Sequence, residues 1–142
     1  MIKPISLKEV ELIAFVLAQE LMTYNEPIPD FKTRFPGRLE SCLATPFQKF
    51  ANKELYSTLV EKAAILFYLM IKNHPFQNGN KRIAITTLLV FLYKNHKWLR
   101  VDPYLFYQFA VGVAKSPPKE KEKILISIQK FIEKYLIDRE KR

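Results

Sequence analysis

The chain is 142 residues long, 49% apolar, with three glycines, one cysteine and a net charge of +9 from 23 Lys and Arg against 14 Asp and Glu. That length suits one domain, read here as residues 1–142, with enough apolar content for a packed core. The lone Cys42 excludes an internal disulfide and any Cys-built metal site, and the basic balance favours anionic partners.

The N-terminal stretch lacks a signal-peptide pattern, and the most apolar run, Ile83 to Tyr93, is too short to span a bilayer. The expectation is a soluble cytoplasmic protein without a membrane partner. Ser6-Leu7-Lys8-Glu9 is a capping box, so a helix should begin at Ser6. Val10, Ile13, Leu17 and Leu21 follow at helical spacing, and the helix should end near Tyr24, before Pro27 and Pro29. Asn25 to Pro36 reads as loop, Gly37 to Thr45 as a short helix stopped by Pro46, and Pro46 to Tyr56 as a loop or short hairpin.

Thr58-Leu59-Val60-Glu61 is a second capping box. It opens a helix with Leu59, Ala63, Leu66, Phe67, Met70 and Ile71 on its apolar side, ending near Asn73. His74 precedes Pro75, and a residue before proline leaves the α region. A third helix should run from about Asn80 to about Tyr93. Its middle is apolar nearly all round, which places it at the centre of a bundle. Asp102-Pro103 reads as an N-cap followed by a first-turn proline, and Ser116-Pro117 repeats that pattern before a last helix carrying Ile124, Ile128, Phe131 and Tyr135. Strand signals are nearly absent, so the fold class is all-α.

The chemistry is concentrated between the second and third of these helices, in His74-Pro75-Phe76-Gln77-Asn78-Gly79-Asn80-Lys81-Arg82. A helix N-terminus carries partial positive charge and unpaired N–H groups, so two cations there are locally unfavourable unless an anion sits on it. Gly79 would let backbone approach a phosphate, Asn80 can donate from its amide, and Arg82 can hold two oxygens at once. His74 faces the same loop, and a base beside a phosphate cradle suggests transfer from a nucleotide to a hydroxyl. Singly, a histidine at a helix end, a Gly-Asn turn and a Lys-Arg pair are ordinary surface features. Together within nine residues, between two apolar helices, they favour the functional reading.

The pattern His-Pro-Phe-x-x-Gly-Asn-Lys-Arg resembles the signature of the Fic/Doc family, and its Lys81-Arg82 ending is similar to the death-on-curing (Doc) toxin branch. Arg34-Phe35-Pro36-Gly37-Arg38-Leu39-Glu40-Ser41 resembles the Doc-branch stretch Arg-x-x-Gly-Leu-Leu-Glu-Ser. Leu59 to Ala64 resembles the helix leading into the signature, and the likeness is clearest over residues 6 to 100.

The resemblance implies a Fic fold, a helical bundle with the signature loop between two central helices and a short flap. It implies ATP and Mg²⁺ as cofactors. His74 would be the general base, Phe76 the inward-packed loop anchor, and Gly79, Asn80, Lys81 and Arg82 the phosphate-binding turn. Arg34 matches a Doc-branch arginine and is a possible accessory residue, and Pro46–Tyr56 would match the flap that docks the target. Asn78 stands where the family usually carries an acidic Mg²⁺ ligand; an amide oxygen can coordinate the ion but brings no charge. Ile85 stands where AMP-transferring Fic enzymes carry a second arginine.

These features imply a toxin that transfers the ATP γ-phosphate to a Ser or Thr hydroxyl of a translation factor similar to elongation factor Tu. The alternatives are an AMP transferase and a catalytically weakened nucleotide- or protein-binding module. The chain lacks the self-inhibiting Ser/Thr-x-x-x-Glu-Gly/Asn helix, so control is expected from a Phd-like antitoxin in trans. A nucleic-acid partner is not expected, because neither a helix-turn-helix signature nor a basic-aromatic stripe is present.

Overall fold

The computed structural model describes residues 1–21 and 27–139. Ser6 caps the first helix: its hydroxyl accepts from Glu9 N–H while the Glu9 carboxylate accepts from Ser6 N–H. The helix continues through α1 (Leu7–Glu9), a π-type stretch (Val10–Ala14) and α2 (Phe15–Glu20). It closes with Leu21 extended, and Tyr24, where the sequence puts its end, lies outside the described residues.

Asp30 caps a 3-10 turn, Phe31–Thr33, within the expected loop. Gly37 adopts a left-handed conformation (φ 82°) and opens α3 (Arg38–Ala44). The Pro46–Tyr56 segment is a two-residue antiparallel hairpin, β1 (Lys49–Phe50) on β2 (Lys53–Glu54), with Ala51 and Asn52 both at positive φ in the turn. Two such turn residues match the twist of a tight hairpin. All four strand residues are exposed, so the hairpin is held from its base. There the buried Lys62 ammonium donates to the Pro46 carbonyl (3.1 Å), the Tyr56 carbonyl and the Glu54 carboxylate (2.9 Å), and it stands over the Phe47 ring. This anchorage lies roughly 18 Å along the helix from His74, at 1.5 Å per residue.

Thr58 and Glu61 form the second capping box and start α4 (Leu59–Lys72), capped by Asn73. After the signature loop, α5 (Asn80–Lys94) runs back beside it. Residues Lys62 to Ile71 of α4 are all buried, and so is nearly all of α5 from Arg82 to Leu92, so these two helices are the core. Asp102 accepts from Leu105 N–H and Pro103 fills the first turn of α6 (Pro103–Lys115). Ser116 does not cap the last helix. Its hydroxyl donates to the Val113 carbonyl, finishing α6; a 3-10 turn, Pro118–Glu120, intervenes, and α7 starts only at Lys121 and ends at Tyr135.

The sequence gives no hint of a second strand pair. β3 (Lys97–Leu99) pairs antiparallel with β4 (Leu136–Asp138), bringing the end of α7 to the end of α5. The N-terminal segment reaches the same place, where Lys3 N–H donates to the Asn95 side-chain oxygen (2.7 Å) and the Asn95 amide donates to the Lys3 carbonyl (2.9 Å). Arg139 N–H donates to the His96 carbonyl beside it. The all-α class holds, with these two small strand pairs as additions. Among the described residues no helix is long and apolar enough to cross a membrane.

Candidate active site

The loop between α4 and α5 owes its shape to two anchors, one apolar and one polar. Phe76 is 1% exposed and packs into a cluster with Phe15 (5.6 Å between ring centroids) and Phe31 (5.8 Å). Asn80 braces the same residue: its side-chain oxygen accepts from Phe76 N–H (3.0 Å) and its amide donates to the Phe76 carbonyl (2.9 Å). The amide that the sequence offered to a phosphate is thus engaged inside the loop. Buried backbone groups need partners, and Asn80 supplies both for Phe76.

Gly79 is required for reasons the sequence did not show. It is buried at φ 74°, a conformation favouring glycine, and a Cβ there would sit 2.6 Å from Ile28 Cδ1 and 3.0 Å from the Pro27 carbonyl oxygen. The close approach is to this chain's own Pro27–Ile28 segment. Gly79 N–H donates to the Asn78 side-chain oxygen at 2.8 Å.

His74 also has positive φ, 45°, which costs an L-residue about 1–2 kcal/mol. Two bonds from the preceding segment hold it: an Arg38 Nη1 group donates to the His74 carbonyl (3.2 Å), and Phe35 N–H donates to the Pro75 carbonyl (2.9 Å). The Arg38 guanidinium also stacks over the Phe35 ring at 4.3 Å. Pro27 to Arg38 therefore lies against the signature loop, whereas the Pro46–Tyr56 hairpin is anchored at the other end of α4.

His74, Gln77, Asn78, Asn80 and Lys81 line a polar cavity of about 240 Å³. Ile71 and Ala114 close its other side, and Lys72 fixes that wall by donating to the Ala114 (3.1 Å) and Ser116 carbonyls. Ligand sites for whole drug-sized molecules run from about 300 Å³ upward, so this volume suits the phosphate end of a nucleotide. The opening N–H groups of α5 have no acceptor within their own helix, and the helix dipole is positive there.

Arg82 is not brought into this cavity. It is 3% exposed, and its guanidinium donates to the Ala18 carbonyl and, at 2.9 Å, to the Leu21 carbonyl at the end of α2. Arg34 also stays outside: it stands over Phe31 (4.6 Å) and faces Glu40 (3.5 Å). Ile85, one turn beyond Arg82, belongs to a separate apolar cavity with Leu21 and Leu89.

Among the described residues no carboxylate lines the polar cavity, and no three His, Cys, Asp or Glu side chains cluster as a metal site. The Asn78 oxygen already accepts from Gly79 N–H. Mg²⁺ prefers carboxylate and phosphate oxygens, so these residues do not by themselves build a Mg²⁺ site. Gln77, Arg38, Ile28 and Lys72 are site residues that the sequence did not reveal. Only Lys72 left a signal, as a cation in the last turn of α4.

The Fic/DOC family model matches residues 4–92. The protein named Toxin Doc from Mycolicibacterium smegmatis (strain ATCC 700084 / mc(2)155) is 33% identical over 73 residues, which is 51% of this chain and 56% of that protein. The match thus spans little more than half the relative's length. No solved structure gives a significant match. With the signature loop set between the two central helices and the family match running over most of the chain, the protein belongs to the Fic/DOC family.

Proposed function

We propose that the chain is a Doc-like toxin that transfers the ATP γ-phosphate to a Ser or Thr hydroxyl of a translation factor of the elongation factor Tu kind. The observation that carries this reading is that His74 and Lys81 face one polar cavity at the start of α5, whereas the next turn of that helix presents Ile85 to an apolar wall. An AMP transferase must hold a leaving pyrophosphate, and an apolar wall offers it no compensating charge. A nucleotide entering with its terminal phosphate at the loop would meet Lys81 and the α5 amides instead.

In that reaction the target hydroxyl oxygen forms a bond to the γ-phosphorus as the bond from phosphorus to the β–γ bridging oxygen breaks. ADP leaves, and the hydroxyl proton passes to the His74 imidazole. Phosphoryl transfer demands mainly positioning and electrostatic stabilisation, which Lys81 and the helix start would supply. Arg82 would act from a distance, tying the start of α5 to the end of α2. Mg²⁺, if needed, would have to arrive with the triphosphate. The likeness to a protein named as a toxin supports a toxic role checked in trans by a Phd-like antitoxin.

Incubating the chain with purified elongation factor Tu and γ- or α-labelled ATP tests the proposal. The expected result is γ-label on the factor and a mass gain of one phosphate, reduced ~10²–10⁴-fold by His74→Ala. Transfer of α-label alone would establish AMP transfer, and label from neither would point to a nucleotide- or protein-binding module.

A further inference from the structure

We propose that Arg38 is a positioning residue for the reaction, holding His74 in the left-handed conformation that aims its imidazole at the cavity. The inference rests on the proposed role of His74 as base. Among the described residues His74 is one of four non-glycine residues with positive φ, the others being Ala51, Asn52 and His96. Ala51 and Asn52 lie in a hairpin turn that demands the conformation, and His96 follows the end of α5. His74 occupies the equivalent position after α4, where a left-handed residue commonly ends a helix, but unlike His96 it is followed by a proline. It lies between Asn73, the cap of α4, and Pro75, whose ring limits the backbone before it.

A strained conformation persists when surrounding bonds over-determine it. At His74 those bonds come from one short segment. Phe35 N–H fixes the Pro75 carbonyl at 2.9 Å, and the Arg38 guanidinium fixes the His74 carbonyl at 3.2 Å. The two carbonyls bracket the His74–Pro75 peptide, so their partners set its orientation. The Arg38 bond is charge-assisted and directional. Its guanidinium is seated over the Phe35 ring at 4.3 Å, so the residue whose backbone N–H supplies one anchor also orients the other with its ring. Arg38 itself begins α3, where Gly37 turns the chain at φ 82°, so its backbone is fixed by a helix. The arginine stands where the Doc-like stretch around it resembles a pattern with leucine. Leucine cannot donate this bond, so the device is a feature of this chain and not of the pattern.

Arg38 is exposed, and Arg38→Leu and Arg38→Lys should both leave the fold intact. Two measurements on the full chain decide the matter. The first needs no activity: the three-bond HN–Hα coupling and backbone carbon shifts of His74, by NMR, report its φ. Arg38→Leu should move them away from left-handed values, and Arg38→Lys, which keeps a donor, should move them less. The second is steady-state transfer of γ-phosphate to the target. Arg38→Leu should lower kcat tenfold or more while KM for ATP stays within twofold, with partial recovery in Arg38→Lys. Unchanged His74 signals in Arg38→Leu would overturn the proposal. So would shifted signals with undiminished kcat, because the conformation would then not matter to the base. If the parent protein transfers no phosphate, the proposed function fails, and the NMR result alone still decides whether Arg38 sets the His74 backbone.

Discussion

Gly79 and Gly37 offer a controlled experiment on what shapes the signature loop. Both are left-handed, at φ 74° and 82°, but a Cβ at Gly37 would meet nothing within 4 Å, whereas at Gly79 it would meet Ile28 Cδ1 at 2.6 Å and the Pro27 carbonyl oxygen at 3.0 Å. Gly37→Ala should therefore cost only the conformational penalty, about 1–2 kcal/mol before the entropy gained in the unfolded chain is subtracted. Gly79→Ala carries the same penalty plus overpacking, typically ~1–3 kcal/mol, for a total of about 2–5 kcal/mol. The methyl end of Ile28 can rotate away, but the Pro27 carbonyl is backbone and must move with its segment. Urea denaturation of the two variants, with slopes compared, reads the difference directly. Ile28→Ala combined with Gly79→Ala should recover part of the excess. If Gly79→Ala costs no more than Gly37→Ala, the Pro27–Ile28 segment does not press on the loop, and the account of that glycine is wrong.

Asn78→Asp should keep the bond from Gly79 N–H, since a carboxylate oxygen accepts as well, and leave its second oxygen free for metal; Mg²⁺ titration should show tighter binding than in the parent, and equal or weaker binding refutes the idea. Lys62→Met keeps an apolar stem but leaves the Pro46 and Tyr56 carbonyls without their donor, so unfolding free energy should fall by about 2–4 kcal/mol, and amide exchange in residues 46–56 should accelerate. A loss below ~1 kcal/mol would mean that water replaces the ammonium. The Thr58 backbone N–H, aided by Ser57, holds the Glu61 carboxyl below the ordinary carboxylate range. A depressed folded value means stability present above about pH 4.3 and lost as pH falls through the folded pKa. In Glu61→Gln that part of the acid-side slope should vanish, and an unchanged slope would assign it to other groups.

The parts of the fold legible in the sequence are those specified by neighbours. Ser6 with Glu9, Thr58 with Glu61, and Asp102 before Pro103 each cap a helix within one turn, and each forms as its spacing predicts. The burial of α5 followed from its middle, apolar nearly all round. What could not be read depends on partners far along the chain. Leu136–Asp138 is a strand only because Lys97–Leu99 lies beside it. Ser116 before Pro117 looks like a cap, but the hydroxyl turns back to Val113 and closes the helix before it. Arg82 reads as a phosphate ligand from its position, yet the open end of α2, more than sixty residues earlier, offers it carbonyls in a buried setting. Arg38 gave no signal at all, because its partner is a main-chain carbonyl, and main-chain carbonyls have no sequence signature.

The meeting of Lys3 and Arg139 at neighbouring residues, Asn95 and His96, has a topological consequence. The segments at Lys3 and Arg139 are fastened to one corner, at the end of α5 roughly 22 Å along the helix from the signature loop. A short linker could therefore join Lys3 to Arg139 while the chain is opened elsewhere, which is the geometry a circular permutation needs. The exposed turn at Ala51–Asn52 provides a place to cut, away from the signature loop. For the same reason the domain could be inserted whole into a loop of a host protein. Tension applied at Lys3 and Arg139 would then be carried across the β3–β4 corner, away from the His74 loop.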